Sequence, residues 1–160
     1  MTTKEFKAQY AVGSLTDDHL LKVAEDPSTS VEVLLILSKH KDRWISQAVA
    51  FNPNASLKAV INLSKHPHSN TRYNIIDRCP SNILNILARD KMTHVRIAIA
   101  ENSRTSKRVL SKLSKDRLRC VRRAVAINRN TPVVALKRLS TDESKYIQCS
   151  AKYNLKRRNK

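Results

Sequence analysis

Positively charged side chains crowd into the stretch between residues 104 and 138. The members that we assign to one run are Arg104, Lys107, Arg108, Lys112, Lys115, Arg117, Arg119, Arg123, Arg129, Lys137 and Arg138. Like charges at neighbouring positions of a helix repel one another by about 0.2–0.5 kcal/mol per pair, so such a run is costly without a partner. Because guanidinium and ammonium groups bind phosphate oxygens, the run predicts a surface for nucleic-acid phosphates. A face that only keeps the protein in solution is the alternative.

Two kinds of spacing order these cations. Steps of four, four and three residues predict one flank of a helix, if the helix extends that far, for Arg104, Arg108, Lys112 and Lys115. A second set recurs once per repeat, at Lys39, Lys65, Arg89 and Lys115. In a stack of repeats such a column becomes a line of cations about 10 Å apart, which suits a phosphate backbone. An ordinary solvated face has the same pattern.

No pattern in the sequence predicts a catalytic or metal site. We find no Ser/His/Asp arrangement, no glycine-rich phosphate loop and no carboxylate pair at a recognisable spacing. The cysteines Cys79, Cys120 and Cys149 lack CxxC spacing, which argues against zinc and disulfides and predicts small buried fillers. His66 and His68 are too few for a metal site. We therefore predict a protein that is not an enzyme and has no cofactor.

A unit of about 26 residues repeats along the chain and must position the cations. Its turn slot falls at Asp26, Asn52, Arg78, Asn102, Asn128 and Asn154, at intervals of 26, 26, 24, 26 and 26 residues. Each unit has a first helix with two leucine-like residues three apart, a polar link, and a second helix rich in small apolar residues. A fixed period of this size is typical of an α-solenoid, in which small side chains let helices pack closely. The fold class is therefore predicted as all-α, with five to six two-helix repeats.

We predict a single domain over residues 1–160, with three parts. Residues 1–25 form a divergent N-terminal cap, residues 26–154 the repeats, and residues 155–160 a frayed basic tail. The middle of the chain departs from the pattern, because an asparagine replaces a small apolar residue and one copy is two residues short. We therefore expect an irregularity within residues 70–85.

Charge is distributed unevenly. The formal net charge is +18, and residues 61–160 account for all of it, with 24 basic and six acidic side chains. This asymmetry is typical of a protein with a polyanionic partner, nucleic acid before membrane. The N-terminus has no apolar signal core, and no run approaches the roughly 18 apolar residues of a membrane span. Together with the cysteine pattern this predicts a cytoplasmic protein without a membrane partner.

Three sequence strings carry a resemblance to a known repeat. V-R-I-A-I-A-E-N (95–102), V-R-R-A-V-A-I-N-R-N-T-P (121–132) and N-P-N-A-S (52–56) each precede an L/V-x-x-L helix. They resemble the variant leucine-rich repeat and short bacterial HEAT-like repeats over about residues 20–154. The resemblance implies a right-handed α-solenoid that serves as a recognition scaffold, and it implies no particular activity. One HEAT-like family comprises DNA glycosylases, whose aromatic pocket with a catalytic Asp has no clear match here, since Trp44 is the only tryptophan.

A further ladder runs through the repeats, formed by Arg72, Arg96 and Arg122 with Asp90, Asp116 and Asp142. Six residues separate each of the first two aspartates from the arginine that follows it. This spacing resembles the internal Asp–Arg hydrogen bonds of HEAT-like repeats, which tie the link to the second helix. We therefore predict a structural role for the ladder and do not assign it to a ligand.

Aromatic residues are few, at 4% of the chain. Single-stranded nucleic acid is usually bound by aromatic platforms interleaved with charge, so their scarcity favours duplex DNA or structured RNA held through phosphates. Trp44 and Phe51 lie seven residues apart on one helix, which predicts core packing. Our leading hypothesis is a non-enzymatic α-solenoid that binds the phosphate backbone through residues 61–160. An adaptor or inhibitor that grips an acidic protein is the alternative, and a HEAT-like DNA glycosylase is the third reading.

Overall fold

Every regular element that the structure describes is helical. The structure is a computed structural model, and it describes residues 2–158. Within that range the chain forms α1 (Thr3–Ala11), α2 (Asp17–Glu25), α3 (Val31–Leu37), α4 (Arg43–Phe51), α5 (Leu57–Leu63), α6 (Ser69–Asn74), a 3₁₀ helix (Ile76–Arg78), α7 (Ser81–Leu87), α8 (Thr93–Glu101), α9 (Lys107–Leu113), α10 (Arg119–Ile127), α11 (Val133–Leu139) and α12 (Lys145–Arg158). The all-α prediction is confirmed, and the helix boundaries follow the repeat. The right-handed sense stays a prediction.

The chain divides into two compact units, which we call the first unit (Met1–Cys79) and the second unit (Pro80–Lys160). In the first unit, α4 packs against α2 on one side and α6 on the other, while α3 packs against α1 and α5. In the second unit, α10 packs between α8 and α12, and α9 packs against α11. Each unit therefore has a first-helix layer and a second-helix layer, and the boundary falls in the copy that is two residues short.

Local sequence explains why the first helices are short and uniform. Ser30, Ser56 and Ser106 each accept a hydrogen bond from the backbone N–H three residues later, which begins α3, α5 and α9. The helices α7 and α11 begin instead after Pro80 and Pro132. The fourth and seventh positions of these helices are buried leucines, except for Val60 at the fourth position of α5, and the second helices bury small apolar side chains such as alanine and valine. Large and small apolar side chains thus alternate between the layers.

The turn slots join neighbouring repeats by hydrogen bonds to backbone carbonyls. The amide of Asn128 donates to the carbonyls of Ala100 and Asn102 at 2.7 and 3.1 Å. Asn52 and Asn154 make the equivalent pairs of bonds one repeat back from their own positions. These side chains are buried, so each bond satisfies a carbonyl that water cannot reach freely.

Arg78 fills the same slot with a longer side chain. Its guanidinium donates to the carbonyls of Ala50 and Asn52 at 2.9 and 2.8 Å, and to that of Ala55 at 2.6 Å. The helix before this slot ends early, at Asn74, and the chain continues as the 3₁₀ helix. The irregularity predicted within residues 70–85 is therefore confirmed. A fork of N–H donors can reach these carbonyls where the backbone has departed from α geometry.

One expectation about side-chain environment is wrong. Trp44 is 55% exposed and Phe51 is 69% exposed, so they do not pack in the core. The last helix, α12, continues to Arg158, whereas Asn159 and Lys160 lie outside the described residues, so the fraying of the tail stays a prediction. Within residues 2–158, none of the helices is both long enough and apolar enough to cross a membrane.

Candidate nucleic-acid interface

All thirteen cations that the sequence assigns to binding are exposed. They are Lys65, Arg89, Arg104, Lys107, Arg108, Lys112, Lys115, Arg117, Arg119, Arg123, Arg129, Lys137 and Arg138. Lys65 belongs to the first unit and the other twelve belong to the second. Arg138 also donates to the Ser114 hydroxyl at 2.8 Å, which holds its guanidinium over the end of α9. The line of cations predicted through both units stays a prediction.

The single helix flank predicted for four of these cations is wrong. Ser106 caps the start of α9, and Ser114 follows its last residue, so the helix has only seven residues. Arg108 and Lys112 share that helix, whereas Arg104 lies in the turn before it and Lys115 lies in the link after it. The serine cap sets the start of the helix, and the repeat length sets its end.

The twelve cations of the second unit lie on more than one surface. Lys107, Arg108 and Lys112 on α9, with Lys137 and Arg138 on α11, belong to the first-helix layer. Arg119 and Arg123 belong to α10 in the second-helix layer, and the remaining cations lie in the links and turns. Because the layers bury their inner faces against each other, their exposed sides face away from one another. The predicted strip is therefore two basic surfaces joined by basic loops.

The arginines of the ladder are internal, and they make two kinds of bond. Arg96 donates from Nη1 to the backbone carbonyls of Asp90 and Lys91, at 2.8 and 3.3 Å, in its own link. It also donates from Nε and Nη2 to the Asp116 carboxylate, at 2.7 and 3.2 Å, in the next repeat. Both side chains of this bidentate pair are about nine-tenths buried. The bond predicted from the six-residue spacing is therefore present, at the Asp90 carbonyl, and it ties the link to the second helix. The bond to the carboxylate of Asp116 was not predicted, and it runs between repeats.

The next rung repeats this geometry. Arg122 donates to the carbonyl of Asp116 at 2.9 Å and forms a bidentate pair with Asp142 at 2.7 and 3.2 Å. It also contacts the exposed carboxylate of Glu143 at 2.7 Å. At the end of the ladder Gln148 donates to the carbonyl of Asp142 at 2.7 Å, in place of an arginine. The link carbonyl is therefore bonded in each of these repeats, whichever donor is present.

In the first unit the ladder takes a different form. Arg72 is buried and donates to the carbonyls of His66 and Pro67 at 2.6 and 2.9 Å. His66 fills the position that Asp116 fills in the second unit, and its Nε2 lies 3.1 Å from the carbonyl of His40. Its Nδ1 accepts from the backbone N–H of His68 at 3.2 Å, so the proton of the neutral ring lies on Nε2.

The pairs of the second unit shift the pKa values of their carboxyls downward. Burial raises the pKa of Asp116, but the hydrogen bonds from Arg96 and from the Leu118 amide outweigh it, so the pKa lies below its ordinary value. For Asp142 the hydrogen bond from Arg122 is the largest cause, and its pKa is also lowered. Both aspartates are therefore ionised at neutral pH and neutralise buried arginines. They do not offset the exposed cations.

The second unit carries 21 lysines and arginines against five aspartates and glutamates, a formal charge of +16. The first unit carries ten against eight, a formal charge of +2. Three of the five acidic side chains of the second unit bond to Arg96 or Arg122 in the ladder. Glu101 and Glu143 are exposed, so the surface of the second unit is mostly but not wholly positive, and a surface of this charge attracts polyanions.

A groove between α10 and α12, which we call the tyrosine groove, was missed in the sequence. One cavity in it, of about 370 Å³, is lined by Arg119, Cys120, Arg123, Ser144, Tyr146 and Ile147. A second, of about 440 Å³, is lined by Ala126, Ile127, Arg129, Cys149, Ser150, Tyr153, Asn154 and Arg157. Each cavity thus combines one tyrosine with two arginines, and no carboxylate lines either of them.

The repeat could have predicted the exposure of one of these tyrosines, Tyr153. Counting from the turn slots, Tyr153 and Phe51 occupy the position that holds Asp77 and Glu101 in two other copies. A position that accepts carboxylates in some repeats faces water in all of them, whatever residue fills it. Aligning the copies therefore predicts exposure where the seven-residue spacing of aromatics alone had indicated a core.

The first unit has its own groove between α2 and α4, which we call the tryptophan groove. Its cavity of about 340 Å³ is lined by Leu21, Glu25, Trp44, Gln47, Ala48, Phe51, Asn52 and Pro53. The guanidinium of Arg43 lies 4.2 Å from the Trp44 ring, within cation–π distance. The glycosylase reading calls for an aromatic pocket with a catalytic aspartate, and this cavity contains a glutamate but no aspartate.

The cysteines divide by position. Cys79 is buried, as the sequence predicted, whereas Cys120 and Cys149 are exposed in the tyrosine groove, so the prediction of buried fillers is wrong for these two. Over the part of the chain that the structure describes, no cluster of three or more His, Cys, Asp or Glu side chains could hold a metal ion. Because Cys120 and Cys149 line the two cavities, the chemical reactivity of their thiols can report whether a ligand occupies the tyrosine groove.

Comparison with known proteins adds no family assignment. No protein-family model, no curated protein and no solved structure matches the chain. The resemblance to the variant leucine-rich and HEAT-like repeats therefore stays a prediction, which depends on the strings at 95–102, 121–132 and 52–56.

Proposed function

We propose that the chain is a non-enzymatic nucleic-acid-binding α-solenoid whose second unit contacts the phosphate backbone of DNA or structured RNA. The observation that carries the proposal is the separation of its charges. The acidic side chains of the ladder bond to buried arginines, whereas the cations assigned to binding are exposed. Positive charges outnumber negative ones on this surface, and phosphates would offset the repulsion among them.

The ladder removes a competing explanation for the arginine content. If arginines served only to tie repeats together, they would be buried and paired, as Arg96 and Arg122 are. Arg119 and Arg123 lie on the same helix as Arg122, within three residues of it, yet they are exposed. Arginine is also the side chain suited to bidentate contacts with phosphate, which a merely solubilising surface does not require.

Salt dependence is the first test. If the surface contacts about six to ten phosphates, affinity should fall by about three to five orders of magnitude between 50 and 200 mM salt. Fluorescence anisotropy with labelled duplex DNA, hairpin RNA and single strands measures this fall directly. A flat titration, or no binding to any of these ligands at 50 mM salt, would overturn the proposal.

Charge reversal is the second test, and the first unit offers a matched control. Changing Arg108, Lys112, Arg119 and Arg123 to glutamate should abolish binding while leaving the helical circular dichroism intact. The control changes Lys4, Lys22, Lys41 and Lys58 to glutamate, which alters the net charge equally in the first unit, and should retain most of the affinity. Equal losses in both variants would mean that total charge, and not this surface, governs binding.

An acidic protein partner is the alternative, because the same positive surface attracts any polyanion. The exposed Trp44 and Phe51 of the tryptophan groove favour it, since exposed aromatic side chains are enriched where proteins meet. Affinity capture with and without nuclease separates the two functions, because a protein that stays bound after digestion supports the alternative. We place the activity in the cytoplasm, since the exposed thiols of Cys120 and Cys149 suit a reducing compartment.

A further inference from the structure

We propose that the tyrosine groove binds two unpaired nucleotides of a nucleic-acid strand, each with its base against a tyrosine and its phosphate against arginines. The inference rests on the proposed nucleic-acid function and specifies what this part of the surface binds. It also revises the expectation that the scarcity of aromatic residues favours duplex. What matters for stacking is where the few aromatic side chains lie, and two of them lie among arginines.

The first nucleotide site is the cavity at Tyr146. The tyrosine is 82% exposed near the start of α12, so its ring is open to a ligand. Arg119 and Arg123 reach the same cavity from α10, one helical turn apart from each other. A base that stacks on the ring would leave its sugar and phosphate within the field of two guanidinium groups. This pairing of an aromatic face with cations is the arrangement that binds single strands.

The second site repeats the first further along the same helix. Tyr153 is 66% exposed, and its cavity is shared with Arg129 and Arg157. The Arg157 guanidinium lies 5.9 Å from the ring centroid, at the outer limit of a cation–π contact. A cation therefore stands beside this ring as well.

The distance between the tyrosines excludes a stacked duplex as their ligand. Seven residues make almost two turns of α12, so both rings lie on one side of the helix, about 10 Å apart along its axis. Neighbouring bases in a duplex strand are separated by about 3.4 Å and already stack on each other. Two rings at the larger spacing can each receive a base only from a strand whose bases have separated. Unpaired segments of DNA or RNA meet this condition.

Single exposed tyrosines are common on protein surfaces and carry no meaning by themselves. The recurrence of the set distinguishes this groove, because each cavity has one tyrosine, two arginines and no carboxylate. The tryptophan groove of the first unit shows the contrast. It has two exposed aromatic rings seven residues apart and Arg43 over the Trp44 ring, but a carboxylate, Glu25, lines its cavity and no pair of arginines does.

The main experiment compares single and double strands of equal length. The probes are fluorescent oligo(dT), oligo(U) and a mixed-sequence DNA duplex, each titrated with the full chain at one salt concentration. Changing both Tyr146 and Tyr153 to leucine should weaken binding to oligo(dT) or oligo(U) by at least about 30-fold, because two stacking contacts are lost. Affinity for the duplex should change by less than about threefold. A DNA–RNA difference between the two single strands then identifies the preferred source.

The matched control changes the same tyrosines to phenylalanine. This pair keeps both rings and removes only the hydroxyls, so single-strand affinity should stay within about threefold of the wild type. The salt slope of the leucine variant should equal that of the wild type, since no charge has been removed. Equal losses on single strands and duplex, or no loss on any probe, would overturn the inference.

A second readout uses the thiols of the native chain. Cys120 and Cys149 line the two cavities and are exposed, whereas Cys79 is buried and serves as an internal reference. Bound oligo(dT) or oligo(U) should slow the maleimide labelling of Cys120 and Cys149, measured by peptide mass spectrometry, more than saturating duplex does. Unchanged labelling of both while a single strand is bound would place the strand elsewhere.

The two proposals fail in different ways. If no nucleic acid binds at low salt, the proposed function itself is wrong. If duplex and single strands bind with salt dependence but the leucine variant matches the wild type, only the tyrosine groove is wrong. The charge-reversal variant of the preceding subsection then still reports on the basic surface.

Discussion

The two units tie neighbouring repeats together at the same position with different chemistry. In the first unit His66 contacts the carbonyl of His40 one repeat earlier, at 3.1 Å. In the second unit Asp116 accepts two hydrogen bonds from Arg96, at 2.7 and 3.2 Å. A neutral imidazole and an ion pair thus occupy equivalent positions. We infer that the fold requires a contact between neighbouring repeats at this position but does not require that the contact be charged.

The units differ in the same way on their surfaces. Each has a groove in its second-helix layer with two exposed aromatic rings seven residues apart. The tryptophan groove lies in the first unit, whose formal charge is +2, and the tyrosine groove lies in the second unit, whose formal charge is +16. The repeat sets which positions are exposed, and the substitutions around them decide which ligand they suit.

The largest expected effect comes from removing the charge of the groove. Changing Arg119 and Arg123 to glutamine should lower affinity for single strands by about 100-fold or more, because two charge-assisted hydrogen bonds to phosphate are lost. The equivalent change at Lys41 and Arg43 in the first unit should cost less than about threefold. Anisotropy titrations at one salt concentration measure both.

The same comparison can be made between the two layers of the second unit. Changing Lys107 and Arg108 to glutamine removes equal charge from the first-helix layer and should weaken binding less than the groove pair does. A first-helix loss that equals or exceeds the groove loss would move the contact surface to α9 and α11. A loss from the Lys41 and Arg43 pair that matches the groove pair would erase the distinction between the units.

The next largest effect concerns stability. Replacing Asp116 by leucine should lower the free energy of unfolding by about 3–5 kcal/mol, because Arg96 is left buried without its counter-charge. Changing Arg96 to methionine together with Asp116 to leucine should recover most of that loss. Urea unfolding followed by circular dichroism measures both variants. A double variant as unstable as the single one would show that the pair contributes more than the avoidance of an unpaired charge.

The first unit should be less sensitive at the same position. Changing His66 to glutamine removes one neutral hydrogen bond and should cost about 1 kcal/mol. Trp44 is the only tryptophan and lies in the first unit, so its fluorescence follows that unit during unfolding. A cost at His66 as large as that at Asp116 would mean that the charge of the tie has little importance.

An effect smaller than that of Asp116→Leu is expected at the turn slots. Replacing Asn128 by aspartate removes the donor but keeps the shape, and should cost about 2 kcal/mol because the carbonyls of Ala100 and Asn102 lose their bonds. Replacing Arg78 by lysine keeps a donor and should cost about 1 kcal/mol. Thermal melting compares the two. If Asn128→Asp is neutral, the slot is not a stabilising contact.

The smallest expected effect is the dependence of folding stability on pH, and the two units should lose stability in different pH intervals. Burial lowers the pKa of His66 below its ordinary value of 6.5, so the folded first unit binds this proton less readily than the unfolded chain. Its stabilising contribution is complete above pH 6.5 and is lost as the pH falls toward the folded pKa. The pKa values of Asp116 and Asp142 are lowered from 3.8, so their contribution persists until the pH falls below that value.

Urea midpoints at pH 7 and pH 5 test this difference. Trp44 fluorescence should report a lower midpoint at pH 5, and the His66→Gln variant should reduce that change. The Asp116→Leu variant should retain it, because the aspartate does not titrate in this interval. A shift that is the same with and without His66 would assign the pH dependence to other groups.

Much of the fold could be predicted because the same pattern of turn and apolar residues recurs in each copy of the repeat. The spacing of the turn slots predicted both the two-helix unit and the short copy that starts at Arg78. The buried leucines and alanines were also evident, since one copy confirms another. Helix ends were harder to predict from the sequence, because a single hydrogen bond to a capping serine such as Ser106 sets where α9 begins.

The candidate site was predicted only as a list of exposed cations. Sequence spacing could assign Arg108 to a first helix and Arg123 to a second helix, but it could not separate the surfaces on which they lie, because that distinction depends on which helix faces pack together. It correctly joined Asp116 to Arg122 of its own repeat, which bonds the Asp116 carbonyl, but it missed that the Asp116 carboxylate pairs with Arg96 of the preceding repeat. A contact across repeats is close in space but 20 residues away in the chain.

The sequence by itself determined the helical repeat, the excess of positive charge and the burial of the periodic leucines and alanines, because the spacing of apolar side chains and the number of charges do not depend on how the helices pack. Only the tertiary structure decided which arginines pair internally and which stay exposed, and it alone placed Tyr146 and Tyr153 in a groove with arginines from α10. The reason is physical: ion pairing and stacking depend on distances between helices, and those distances arise when the repeats pack.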